Sequence, residues 1–357
     1  MAFVKNRGKC FSKDKLKLAG FGIIYLLLFA ACSPMRYVGI EVYNPAGIFF
    51  PKEVKKVLIV NNAVPQPEVP YVSTLVRTPD STKIAADSAL YNFCRILGVK
   101  IAESSYFEDV LLLEEGYRDD AYFFSDQQLA PADVSLLCRE HEVEAIISLD
   151  RLLFQLKESV QTFDFEVAGW MEVEVSGMIR AYLPGKNTPL ASVEIADTIY
   201  PQLQFDILDF SSLLAGAEVL LQEAAATVAE RALVNFAPYW SEDARWYYVS
   251  SGALWKEAAA YAVSDKWAQA YEKWKTLYDE TADASWQSKA RLASNMALSN
   301  ELAGDFPKAL YWATHSYQLL QGRLSEDDRF LKLQKTYVDV LTYRILADKR
   351  LHLQIDE

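Results

Sequence analysis

The spacing of apolar residues changes twice along the chain, and each change predicts a different architecture. Val54 to Val60 (VKKVLIV) is a short β-branched run closed by Asn61-Asn62, which predicts a buried first strand. A proline-rich loop follows over 64–79. Ile84, Ala85, Leu90, Phe93, Cys94 and Leu97 then recur near the helical period and predict a helix over 82–97. A strand-like piece over 99–105, a helix start near Phe107 and a loop around Asp119-Asp120 come next. Pro131 opens a helix carrying Val134, Leu137 and Cys138, and Ala145 to Leu149 predicts another buried strand. Strand, helix, strand, helix, strand in that order implies an α/β layout.

From Leu152 to Tyr200 the period shortens to two. Phe163, Phe165 and Val167, then Met171, Val173 and Val175, alternate with polar residues. The strand continues toward a turn at Pro184-Gly185-Lys186-Asn187 and returns over 190–199. These strands are expected to extend the same sheet, with a separate β unit as the alternative. Beyond Pro201 the pattern is helical. Leu213, Leu214, Ala217, Leu220, Leu221, Ala224, Ala225, Val228, Ala232 and Leu233 mark one long amphipathic helix over 211–236. Trp240 to Tyr248 gathers aromatics around Arg245, either as a joint between the halves or as a ligand platform. A last helix over 330–353 fits a capping role.

The expected fold is therefore α+β. An N-terminal α/β domain with extended antiparallel strands occupies 53–203 and an all-α domain occupies 204–357. Residues 1–31 are expected to be a signal peptide and 32–52, with Pro34, Pro45 and Pro51, an extended tether.

The first stretch fixes the compartment. Lys5, Arg7, Lys9, Lys13, Lys15 and Lys17 precede an apolar run from Leu18 to Ala31. That run is short for a comfortable membrane span, for which about 20 residues are needed. Phe29-Ala30-Ala31-Cys32 resembles a bacterial lipobox, which implies cleavage before Cys32 and lipidation of its thiol. A retained anchor and an ordinary secretory signal are the alternatives. Ser33, rather than aspartate, follows the cysteine, and no acidic cluster does. In the resembling lipoproteins this implies the outer membrane and its periplasmic face.

Charge then excludes one class of partner. The chain carries 36 basic and 48 acidic residues, a formal net charge of −12. The signal segment removes six of the basic residues and only Asp14 of the acidic ones, so the remainder is more acidic still. Nucleic-acid binding, which rests on Lys and Arg neutralising phosphates, is not expected. Of the 4 cysteines, Cys94 and Cys138 remain beyond Cys32, either as buried free thiols or as a disulfide in an oxidising compartment.

One internal repeat stands out. Leu254, Ala258, Tyr261, Asp265-Lys266-Trp267, Ala270, Trp274 and Leu277 align with Ala293, Ala297, Asn300, Gly304-Asp305-Phe306, Ala309, Ala313 and Ser316. Small residues at helix crossings let antiparallel helices approach, with an aromatic after the turn. The pattern resembles the tetratricopeptide repeat, with a longer period, no proline after the second helix and Asn300 in an aromatic's place. The stretches Asp243 to Trp274 and Asn295 to Ala313, with the lipobox and α/β half, also resemble an envelope lipoprotein family of unknown function. That resemblance implies no activity. The tetratricopeptide register implies a partner groove along the first helices formed by Trp255, Ala259, Arg291, Ser294, Leu298 and Glu301, either open or covered by other parts of the chain.

Catalytic signatures are missing. The sequence has no Gly-rich phosphate loop, HExxH, GxSxG or CxxC. His141-Glu142-Val143-Glu144 fits a helix end better than a metal site, and Asp206 and Asp209 fit flanks of the long helix. No enzyme activity, cofactor or metal is expected. The expectation is a lipid-anchored, periplasm-facing scaffold that binds an envelope protein through its helical repeats. The alternative is a small-molecule or glycan binder using the aromatics near Trp240 and Trp246.

Overall fold

Val57, Leu58, Ile59 and Val60 are all buried, and successive side chains enter two different cores. In the computed structural model, which describes residues 35–73, 80–82, 86–163, 166–200 and 210–355, they lie in the strand β2 (Lys56–Asn61). This is why the run is apolar without alternation: both faces of a parallel strand are covered. Val57 and Ile59 face helix α1 (Asp87–Glu103), and Leu58 and Val60 face helix α2 (Pro131–Glu140). β2 lies between β5 (Asp109–Leu112) and β6 (Ala145–Phe163), parallel to both. The expected order of strands and helices is therefore present.

Two local expectations change. The piece over 99–105 continues α1 to Glu103, because Ile101 extends the buried face of Leu90, Cys94 and Leu97 while Val99 is exposed. The helix expected from Phe107 is instead β5, held parallel to β2.

β6 is long enough to take two neighbours in succession along one edge. Its first part pairs with β2, and Leu156 to Glu158 pair with β3 (Val69–Ser73), whose other edge carries β4 (Asp80–Thr82). Its opposite edge pairs antiparallel with β7 (Glu166–Tyr182), and β7 with β8 (Ala191–Ile199), so the long strands do extend the same sheet. Gly185, at φ +72°, makes the turn between β7 and β8. Helix α3 (Phe210–Phe236) buries Leu220, Leu221, Ala224, Ala225 and Val228 against this sheet and α1.

Two compact units result. One takes the chain up to Val42 with Glu242–Leu346, and the other takes Tyr43–Ser241 with Ala347–Glu357. The long helix α3, expected in the helical half, thus belongs to the sheet unit. From Met35 onward the stretch expected as a tether is folded as well. Strand β1 (Met35–Asn44) pairs with β9 (Tyr239–Tyr248). Beyond β1, Ala46, Ile48 and Phe50 are buried in the sheet unit. Gln354 holds this backbone: its Oε1 accepts from Ala46 N at 2.9 Å, and its Nε2 donates to Ala46 O at 3.2 Å.

The helical unit contains α4 (Ala253–Val263), α5 (Trp267–Glu280), α6 (Trp286–Leu302), α7 (Phe306–Leu320) and the greater part of α8 (Arg329–Ile355). The repeat aligned in the sequence corresponds to α4–α5 and α6–α7. Ala258 and Ala297, then Ala270 and Ala309, are fully buried at the two crossings. The turns agree too, with Asp265 at φ +54° and Gly304 at φ +76°. Residues 1–34, including the expected signal segment and Cys32, lie outside the described residues, as do Asp206 and Asp209. Among the described residues no helix is long and apolar enough to cross a membrane.

Candidate functional site

Of the six residues expected along a groove, Ala259, Ser294, Leu298 and Glu301 are buried. Trp255 is half-buried against the same helical core. The occupant of this face is β9. Asn295 pairs with it as a strand would: its Oδ1 accepts from Tyr248 N at 2.6 Å, and its Nδ2 donates to Tyr248 O at 2.8 Å. Arg245 Nε and Nη2 donate to Glu301 at 2.9–3.1 Å, and Tyr337 Oη donates to Glu301 Oε2 at 2.8 Å. Of the two alternatives, open or covered, this face is covered by the chain's own strand, and Arg291 lines a cavity beside it. The aromatic stretch that supplies β9 places Trp246 against Tyr337 at 5.3 Å between ring centroids and Trp240 on Tyr43 at 4.8 Å.

An open groove of about 940 Å³ lies instead on the sheet unit. Its floor is the face of β6, β7 and β8 turned away from α3, with Leu153, Gln155, Glu174, Ser176, Ala196 and Thr198. Register explains why these meet, since Leu153 pairs with Ser176, Gln155 with Glu174 and Ser176 with Ala196. Lys157 pairs with Glu174 on the same face. Phe123 and Phe124, with ring centroids 4.1 Å apart, form a lip over this floor, and Phe124 is 71% exposed.

The lip is braced by charge. Arg118 grips Asp120 in a fork, Nε to Oδ2 at 2.8 Å and Nη2 to Oδ1 at 2.9 Å, and also donates to the carbonyls of Tyr122 and Ser125. A buried cluster then ties the segment to the sheet. Asp150 is the extra residue of a β-bulge, where the register shifts between Leu149 and Arg151. Ser148 Oγ and Asn62 Nδ2 donate to its Oδ1 at 2.6 and 3.0 Å. Arg180 Nη1 and Tyr182 Oη donate to its Oδ2 at 2.6 and 3.1 Å. Arg180 also donates to Asp126 O at 2.7 Å, and Asn62 to Gln127 O at 2.7 Å.

Burial pushes the Asp150 carboxyl above the usual carboxylate range, against the hydrogen bonds from Ser148, Arg180 and Asn62. Burial and the charge of Asp150 likewise push the Tyr182 phenol up, so it serves as a neutral donor. With four donors aimed at its two oxygens, the carboxylate has its lone pairs occupied. It acts as a tie. Glu144 is similarly engaged, accepting from Lys55 N at 3.1 Å and Lys56 N at 2.7 Å, while Glu142 sits at φ +53° where the chain leaves α2. That accounts for the His141 to Glu144 stretch as a helix end.

Residues 54–248 match the family model described as a domain of unknown function (DUF8603). The chain belongs to this family. Its residues 256–343 match the model of a second domain of unknown function (DUF6340). No curated relative matches. Among solved structures it is similar to the PelC dodecamer from Paraburkholderia phytofirmans, at 12% identity over 56% of this chain and 96% of that one, with a TM-score of 0.26. It is also similar to protein XCC0632 from Xanthomonas campestris (DUF330), at 8% identity over 54% and 94%, with a TM-score of 0.25.

Proposed function

We propose that this chain is a lipid-anchored, non-catalytic binding protein of the cell envelope, facing the periplasm from the outer membrane. Its anchor in this reading is Cys32, on the strength of the basic, apolar and small-residue order before it. It holds a protein partner on the floor of β6, β7 and β8, under the lip of Phe123 and Phe124. One observation carries the reading: a large open groove whose overhanging aromatics are fixed by buried hydrogen bonds. Preorganised aromatics contribute contact area at small entropic cost, and an aromatic lip over a mixed polar floor suits a macromolecular partner. Recognition thereby moves from the inner face of the helical repeats, which β9 fills, to the sheet.

The test is photo-crosslinking in the native envelope from positions Phe124 and Ala196, with Glu280 as the control site. One protein adduct shared by the first two positions and missing from the third supports the reading. Equal labelling from all three would overturn it. Cys32→Ser is expected to release the protein from membranes in the same cells. Retention in the detergent-requiring fraction would show that Leu18 to Ala31 is a retained anchor.

A further inference from the structure

The helical unit contains a second, smaller cavity of about 200 Å³ between α6, α7 and the start of α8. Its walls are Trp286, Leu320, Leu324 and Phe330, and Tyr248 of β9 closes it. Arg291 enters this apolar space half-buried, its guanidinium carbon 5.8 Å from the centroid of the Tyr248 ring. Among the described residues it makes no hydrogen bond and no ion pair. Three other buried or half-buried arginines are matched by carboxylates: Arg118 with Asp120, Arg180 with Asp150 and Arg245 with Glu301. A carboxylate, Asp328, lines the same cavity, but its Oδ1 accepts from Phe330 N at 2.8 Å and Leu331 N at 3.3 Å, where it caps α8.

A guanidinium partly withdrawn from water with no counter-ion is a fork awaiting a planar anion. We propose that this cavity binds a small apolar monocarboxylate, with Arg291 taking the carboxylate and the Trp286, Leu320 and Phe330 walls taking a ring or branched aliphatic body. The size fits. Drug-sized pockets run from about 300 Å³ upward, so this one admits a body of one ring and little more. Asp328 sets the charge limit, because a second negative group on the ligand would face its carboxylate. A phosphate monoester or dicarboxylate is therefore disfavoured. The site is independent of the sheet groove and uses a different chemistry.

The experiment uses the full chain in detergent, with phenylacetate, phenylacetamide and phenyl phosphate as probes followed by ligand-observed NMR and titration. Phenylacetate is expected to bind at least tenfold more tightly than the other two. Arg291→Met should remove that preference, with an unchanged thermal midpoint reporting an intact fold. Equal binding of the acid and the amide, or no saturable binding of phenylacetate at millimolar concentration, would overturn the proposal. The acid and amide comparison on the parent chain decides the matter even if the variant fails to fold.

Discussion

Arg180 Nη1 lies 2.6 Å from Asp150 Oδ2, with Asp150 fully buried and Arg180 7% exposed. The pair joins two strands across a bulge and, through Asp126, fixes the segment that carries the aromatic lip. Removing one partner of a buried pair leaves the other charge without compensation, which costs about 3 to 5 kcal/mol. Asp150→Ala is thus expected to lower the stability of the sheet unit by that amount, read as a shift in the denaturant midpoint. Limited proteolysis should also cut between Tyr117 and Gln127 sooner than in the parent. An unchanged midpoint would mean that the cluster carries no stability.

The bulge has a second requirement. A Cβ on Gly177 would meet the Arg151 carbonyl oxygen at 2.5 Å and Leu152 Cδ1 at 3.1 Å. The first neighbour is backbone held in the sheet and has no free end to swing aside. Gly177→Ala should therefore destabilise the sheet unit by about 1 to 3 kcal/mol through overpacking, with Gly39→Ala, where the space is open, as the control. Equal midpoints for the two variants would refute the close approach of β6 and β7.

Much of this was legible in short-range pattern. The β2 run, the turn at Gly185 and the repeat between Asp265 and Gly304 are each encoded within a few residues of one another. Longer pairings left less trace. Arg245 and Glu301 stand 56 residues apart, and nothing local distinguishes their buried bond from two surface charges. For that reason the pattern alone left the helix face carrying Ser294, Leu298 and Glu301 either open or covered, and gave no sign that a strand fills it. β1 was hidden by the prolines around it. Asp150 was visible only as a charge inside an apolar run, a signal that its 4 donors, at Asn62, Ser148, Arg180 and Tyr182, make sense of afterwards.

Among the described residues the two cysteines, Cys94 and Cys138, are free and buried. They enter different cores, Cys94 from α1 and Cys138 from α2. Burial pushes the Cys94 thiol up to about 12, and burial with the charge of Glu144 pushes Cys138 to about 11. Thiolate is the reacting form, so both should resist alkylation in the folded chain at mildly alkaline pH. Iodoacetamide followed by peptide mass mapping is expected to modify them only after denaturation. Rapid modification of either in the native protein would contradict its burial.

His315 is expected to give the helical unit a pH dependence. Its Nε2 lies 2.5 Å from Tyr278 Oη, and its ring meets Trp312 edge-on at 6.0 Å and stacks on Tyr311 at 6.4 Å. Burial holds its pKa below the ordinary 6.5, and the nearby charge of Lys289 pushes in the same direction. Lys289 is itself paired with Asp283 and sits 5.1 Å from the Tyr278 ring centroid. Since the folded value is the lower one, the unfolded chain takes up the proton first as the medium is acidified. Stability is then fully present above 6.5 and falls as pH drops through the folded value. His315→Gln keeps a hydrogen-bonding side chain without titrating, so it should flatten this part of the profile. Lys289→Met should make the acid loss smaller and end it at a higher pH, because removing the repelling charge raises the folded value toward 6.5. Denaturant midpoints from neutral pH down to about pH 5 give the measurement, and parallel profiles for the parent and His315→Gln would assign the acid sensitivity elsewhere.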